Sequence, residues 1–243
     1  MKILHYHIGS QIEKLSDVLG PIKYALDVFF KLKEKNPSLD TLDIGGGMPI
    51  PYKRTKGYPV DKLMEKILEL VKKESEKREL PHPNLVCEWG RYIVAPAQIS
   101  VFKVINTKPI NYKKSLAKKW YVIDGSFMND LLDTWAIGQK WAISPVNNKR
   151  DGTLTDIWLA GSSCDSDDIY TGVDGVINFP DYDINGGGDP MYIAVHDTGA
   201  YQTSLAAQHC MLSSPMTIVV ENGHVVVARK HESPEDIGKN VGW

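Results

Sequence analysis

Residues 41–47 read Thr41-Leu42-Asp43-Ile44-Gly45-Gly46-Gly47, a short apolar run that breaks into three consecutive glycines. Such a run predicts a buried strand entering a tight turn, and a triple glycine alone ordinarily means no more than that turn. Two further strands share its design. Residues 3–8 lead into His7-Ile8-Gly9-Ser10-Gln11, and residues 84–88 lead into Glu88-Trp89-Gly90-Arg91. Helical periodicity fills the intervals. Gly20-Pro21 opens one helix, with Ile22, Ala25, Leu26, Phe29 and Leu32 at i, i+3, i+4, i+7 spacing. Pro59 starts another, whose Val60, Leu63, Met64, Ile67, Leu68 and Val71 form one apolar stripe opposite Lys and Glu. Strand alternating with helix predicts βα units feeding a parallel sheet, an α/β fold.

Beyond Pro96 the pattern changes. Apolar, β-rich runs at 99–105, 120–123, 156–159, 192–195, 217–220 and 225–229 are separated by Gly, Asn and Pro, and predict a mostly antiparallel β-domain. The expected division is therefore 1–95 and 96–243, with 181–190 a loop around Gly186, Gly187 and Gly188. Three βα strands are too few to close a barrel, which needs about eight. Either the sheet is open or its other strands lie outside this sequence.

The composition, 42% hydrophobic and 24% charged, is that of a globular protein, and a formal charge of −2 gives no reason to expect a nucleic-acid partner. The lysine run within 113–119 reads as a solvated loop. Three widely spaced cysteines, Cys87, Cys164 and Cys210, suit neither a metal knuckle nor a disulfide framework, so a reducing, cytoplasmic setting and no metal are expected. No signal-peptide core or membrane-length apolar stretch is present in the sequence.

In parallel βα architectures the site lies at the C-terminal ends of the strands, and here all three ends are chemically loaded. Gly45, Gly46 and Gly47 would let backbone N–H groups close on an anion, with Ser10 and Arg91 adding a hydroxyl and a guanidinium. Glu88 offers a carboxylate to a cationic ring nitrogen, and His7 a flat face for stacking. Singly, each has a plain alternative: a satisfied core histidine for His7, a rim ion pair for Glu88 with Arg91. In the β-rich half, Gly161-Ser-Ser-Cys164-Asp165-Ser166-Asp167-Asp168 and Asp197-Thr-Gly199-Ala200-Tyr201 stand out. Cys164 reads either as a proton donor or as a small buried hydrophobe.

Taken in order, HIGSQ, DIGGG, EWGR, DGSFMNDLL, SCDSDD and DTGAYQ span nearly the whole chain. At these residues it resembles the alanine-racemase-like (fold-type III) pyridoxal-phosphate decarboxylases, the group of diaminopimelate, ornithine and biosynthetic arginine decarboxylases. The resemblance implies the last three βα units of a (β/α)8 barrel followed by the β-domain, with active sites shared across a homodimer. It implies that His7 stacks on pyridoxal 5'-phosphate, that Ser10, Gly45, Gly46, Gly47, Arg91 and Tyr201 hold the phosphate, and that Glu88 keeps the pyridine nitrogen protonated. Cys164 would return a proton to the substrate carbon, with Asp165 beside the substrate amine. Trp89 stands where the family usually has proline.

Asp133 stands where diaminopimelate decarboxylases ordinarily have an arginine. A carboxylate there favours a cationic tail by roughly 1.5 to 3 kcal/mol, which makes arginine the expected substrate ahead of ornithine and lysine, and polyamine synthesis the setting. Diaminopimelate is the alternative. The family's Schiff-base lysine lies far upstream of the HIGS motif, and no lysine of this sequence corresponds to it. A homodimer or a complementing N-terminal polypeptide is therefore expected as partner. A non-catalytic binding protein on the same fold is a third reading, against which the retention of Glu88, Cys164 and Asp165 argues.

Overall fold

The computed structural model describes residues 1–52, 57–147 and 152–243. They form two compact units, Met1–Ala95 and Pro96–Trp243.

The first unit is built on three short strands, β1 (Ile3–His5), β2 (Thr41–Asp43) and β3 (Asn84–Val86), all parallel, in the order β1-β2-β3. Helix α1 (Leu15–Lys35) follows β1, α2 (Val60–Glu76) follows β2, and the short α3 (Gly90–Val94) follows β3. The helices cover one face of the sheet. Leu42 joins Ile22, Leu26, Phe29, Phe30, Leu63 and Ile67, each at most 1% exposed, at the centre of a core with Leu4 and Leu85 packed against it. Alternation along each strand turns Ile3 and Val86 the other way, where they are 53% and 41% exposed. The sheet is open, with one face covered.

Helix α1 begins six residues before the expected Gly20-Pro21 start, and Pro21 lies inside it. An interior proline costs up to about 3 kcal/mol. Leu15, Val18 and Leu19 extend the apolar stripe backward and pack on the core, so tertiary burial overrides the local signal. On α2 the expected stripe holds at Leu63, Ile67 and Val71, but Leu68 is 54% exposed and Leu70 packs in its place.

The second unit carries a seven-stranded sheet, with β4 (Ser100–Pro109), β5 (Lys119–Ile123), β6 (Ile143–Pro145), β7 (Leu154–Ala160), β8 (Ile169–Tyr170), β9 (Ile177–Pro180) and β10 (Tyr192–Val195). The order is β6-β10-β4-β5-β7-β8, with β9 also on β7, and every pairing is antiparallel except β5 with β7. Phe102 and Val104 point inward while Val101 and Ile105 point out, the period-2 pattern of a half-buried strand. Strands β6, β8 and β9 were not expected from the sequence. They are two to four residues long and too short to show alternation.

A separate hairpin, β11 (Thr217–Glu221) with β12 (His224–Arg229), turns through Asn222 and Gly223 at φ 50° and 81°, the left-handed pair that a tight two-residue turn requires. Its Val220, Val225 and Val226 are 66%, 63% and 61% exposed. Short helices α4 (Asp133–Ala136), α5 (Gln202–Leu205) and α6 (Pro234–Asn240) complete the unit. Among the described residues no helix is long and apolar enough to cross a membrane.

Candidate active site

In the first unit the loops leaving the three strands are fastened to one another. Tyr6 N–H donates to Asp43 O (3.2 Å), Ile44 N–H to Val86 O (2.9 Å), Glu88 N–H to Gly45 O (2.9 Å) and Ile12 N–H to Gly47 O (3.0 Å). Gln11 acts as a two-pronged clamp: its amide donates to Ile50 O (3.0 Å) and accepts from Ile50 N–H (2.8 Å). The strand-end residues His7, Gly45, Gly46, Gly47 and Glu88 therefore come together on one side of the unit.

The glycines are fixed by packing. A Cβ on Gly45 would lie 2.2 Å from Tyr6 O, one on Gly46 2.9 Å from His7 Cε1 and 3.0 Å from Glu88 O, and one on Gly47 2.9 Å from Ile12 Cδ1. Gly45 also sits at φ +66° and Gly47 at φ +113°, where a side chain is strained. Gly46 N–H donates to His7 Nδ1 at 3.1 Å. An accepting Nδ1 places the proton of the neutral ring on Nε2 and fixes the ring's orientation while leaving it exposed.

Glu88 is half-exposed, its Oε2 3.4 Å from His5 Nε2. His5 was not among the candidate site residues of the sequence. The signal was the His5-x-His7 spacing, which in an extended chain puts both rings on one face. His5, Asp43 and Glu88 place ligand atoms within 4.8 Å of one another, although Asp43 Oδ1 already accepts from Gly45 N–H (2.9 Å). Ser10 is exposed on the same loop as His7. Arg91 donates from Nη1 to Tyr52 Oη (2.9 Å), and its guanidinium carbon lies 5.9 Å from the centre of that ring. Trp89 is partly buried against the core. An exposed imidazole face, a half-exposed carboxylate, a free-standing hydroxyl and the open space above Gly9 form a donor set that fits a planar, cationic heterocycle carrying a phosphate.

In the second unit one buried carboxylate organises the cysteine loop. Asp168 is 2% exposed; its Oδ1 accepts from Phe127 N–H (2.7 Å) and its Oδ2 from Ser163 N–H (3.1 Å). Cys164 is exposed at the tip of that loop, not a buried hydrophobe, and its Sγ lies 3.4 Å from Cys210 Sγ. Asp165 is half-buried, accepts from Asp167 N–H (2.8 Å) and lies 3.8 Å from His209 Nε2. Asp133 is 6% exposed, its Oδ2 accepting from Gln202 Nε2 (2.9 Å) and its N–H donating to Gln202 Oε1 (3.3 Å). Tyr201 is 48% exposed at φ 69°, just before α5. Asp168, Gln202, Asn129 and Cys210 carry this arrangement, although none of them was assigned a role at the site from the sequence.

Burial pushes the Asp130 carboxyl up to about 6, assisted by the negative charges of Asp168 and Asp124 and opposed by Ser126 N–H and Arg229. A carboxyl whose folded pKa lies above its unfolded value near 3.9 leaves the folded state holding the extra proton between those values, so stability falls as pH rises through that window. The expected loss between pH 4 and pH 7 is about 2 to 3 kcal/mol. Urea midpoints of the wild type and of Asp130→Asn across that range check it, and an Asp130→Asn profile as steep as the wild type's would refute the assignment.

Residues 1–95 match the family model described as pyridoxal-dependent decarboxylase, pyridoxal binding domain. The diaminopimelate decarboxylase of Mycobacterium tuberculosis is 30% identical over 242 residues, covering 96% of this chain and 52% of the relative. Among solved structures, diaminopimelate decarboxylase from M. jannaschii in complex with L-lysine superposes at TM-score 0.81 with 26% identity, over 96% of this chain and 50% of that one. Biosynthetic arginine decarboxylase from Campylobacter jejuni superposes at TM-score 0.88, over 100% of this chain and 56% of that one; at 15% identity it speaks to the fold alone. The chain spans about half the length of the curated relatives it matches. Residues 1–95 are thus matched to the pyridoxal binding domain of the pyridoxal-dependent decarboxylases, and the homologues of the chain are pyridoxal-phosphate-dependent amino-acid decarboxylases.

Proposed function

We propose that this chain is the portion of a pyridoxal-phosphate-dependent amino-acid decarboxylase that comprises the last three βα units of a (β/α)8 barrel and the β-domain, and that its substrate is diaminopimelate. The observation that carries the reading is the meeting of His7, the Gly45, Gly46 and Gly47 loop and Glu88 at the C-terminal ends of three parallel strands, within the residues that match the pyridoxal binding domain. When bound, the cofactor supplies an electron sink for the pair left as carbon dioxide departs. The chain's own residues do the rest. His7, held by Gly46, presents its ring face for stacking; Glu88 holds a proton on the ring nitrogen; Ser10, the glycine loop and Arg91 bind the phosphate. Contributed to the site of a partner subunit, Asp165 holds the substrate's ammonium group and Cys164 delivers a proton to the carbon that has lost its carboxylate.

The relatives' names favour diaminopimelate over the arginine expected from Asp133. The geometry of Asp133 agrees, because its carboxylate is enclosed and already engaged by Gln202. Arginine or ornithine is the second reading, supported by Asp165, a half-buried acid beside Cys164 that could meet a cationic tail. Co-expression of the chain with the N-terminal half of the M. tuberculosis relative, followed by carbon dioxide release assays, separates the two. Diaminopimelate turned over about tenfold faster than arginine supports the first. The reverse order returns substrate choice to the aspartates.

A partner, either a second copy or a complementing polypeptide, is part of the proposal. The uncovered face of the β1-β2-β3 sheet, with Ile3 and Val86, and the exposed valines of β11 and β12 are apolar surfaces of the kind that association buries. Borohydride reduction of the chain with pyridoxal phosphate, followed by peptide mapping, is expected to label no single lysine. Stoichiometric labelling of one lysine would show that the chain completes its own site.

A further inference from the structure

We propose that Cys164 and Cys210 are a reversible dithiol–disulfide pair. Both thiols are free and exposed, 46 residues apart in sequence, and their sulfur atoms are 3.4 Å apart. A disulfide needs about 2.05 Å, so closing it takes a shift within reach of small changes in the two side-chain torsions.

The approach is built by buried groups. Asn129, 3% exposed, holds the backbone next to Cys210 from both sides: its Nδ2 donates to His209 O (2.8 Å) and its Oδ1 accepts from His209 N–H (3.1 Å). Asp168 holds the other loop through Ser163 N–H, one residue before Cys164. His209 and Asp165, 3.8 Å apart, flank the two sulfurs. Cys210 itself sits at φ 58°, ψ 18°, a left-handed conformation uncommon for a residue other than glycine. Two rigid clamps and a strained backbone thus place one sulfur against another.

The chemistry balances with a disulfide of the glutathione class as oxidant. One cysteine, as thiolate, attacks the oxidant's S–S bond and releases one small thiol; the second cysteine displaces the other. One protein S–S bond forms, the oxidant's is reduced to two thiols, and the two cysteine protons end on the released thiols. The thiol–thiol hydrogen bond and the charge of Asp165 push Cys164 upward, so the rate is expected to rise with pH through the mildly alkaline range. Cys87, half-buried in the other unit and pushed up mainly by burial, is expected to stay reduced.

The pairing does not depend on the catalytic role proposed for Cys164. If that role holds, oxidation also silences decarboxylation and Cys210→Ser keeps it running in oxidant; if it fails, the cross-link is still expected. The test equilibrates the chain in a glutathione redox buffer, quenches with acid, alkylates, and maps peptides without reduction. The expected result is a fall from three alkylatable thiols to one, a mass lighter by two hydrogens, a Cys164–Cys210 linked peptide, and reversal by dithiothreitol. A trivalent aryl arsenical, which bridges paired thiols, should bind the reduced chain and lose affinity at least tenfold in Cys210→Ser. Separate glutathione adducts on the two cysteines, or linkage only between chains, would overturn the proposal.

Discussion

Asp168→Ala is expected to destabilise the unit Pro96–Trp243 by about 3 kcal/mol, because it strands one buried and one half-buried backbone donor, at about 1 to 3 kcal/mol for a fully buried one. The carboxylate accepts from Phe127 N–H and Ser163 N–H, two segments that nothing in the sequence brings together, and Gly161 N–H donates to the backbone oxygen of Asp168 itself (2.8 Å). Gly161 has room for no side chain, since a Cβ there would lie 2.2 Å from Asp168 Oδ1. Asp168→Asn keeps one acceptor and turns a donor toward the other N–H, so about half the loss is expected. Urea denaturation followed by the tryptophans of this unit measures it, and an alanine variant within about 1 kcal/mol of wild type would mean that water replaces the carboxylate. The same substitution should loosen the Cys164 loop and slow the proposed cross-link with Cys210.

What the sequence disclosed followed periodicity. The stripe of α2, the three parallel strand cores and the alternation of β4 all rest on spacings that side-chain burial imposes locally. The start of α1 was hidden because Gly20-Pro21 is a strong local start signal, outweighed by the packing of Leu15, Val18 and Leu19 against the core. Strands of two to four residues leave no period to read. At the site, the loops were legible as motifs, but their fastenings were not. Gln11 to Ile50, Asn129 to His209 and Asp168 to Phe127 join side chains to backbone across 39, 80 and 41 residues, and such bonds depend on tertiary geometry alone. Asp133 shows the converse: its identity suggested a substrate contact, while its burial and its bond to Gln202 could be seen only in the fold.

Glu88→Gln is expected to lower decarboxylation in the complemented enzyme by about 10² to 10³-fold while leaving pyridoxal phosphate bound. The amide matches the carboxylate in size and can still meet His5 Nε2, 3.4 Å from Oε2, so the loop held by Gly45 O and Glu88 N–H keeps its form. On the proposed assignment, what is lost is the negative charge that would keep a proton on the ring nitrogen of the bound cofactor and so sustain its electron sink. Glu88→Asp retains the charge on a shorter arm and should recover part of the rate. The measurement is kcat beside the dissociation constant and absorption spectrum of the bound cofactor, because a purely structural role would disturb binding and the spectrum in proportion to activity. His5→Ala tests the neighbour: with the charge on Glu88 intact, kcat should fall far less than in Glu88→Gln. A Gln variant within a few-fold of wild type would remove Glu88 from the ring nitrogen and leave it a rim partner of His5.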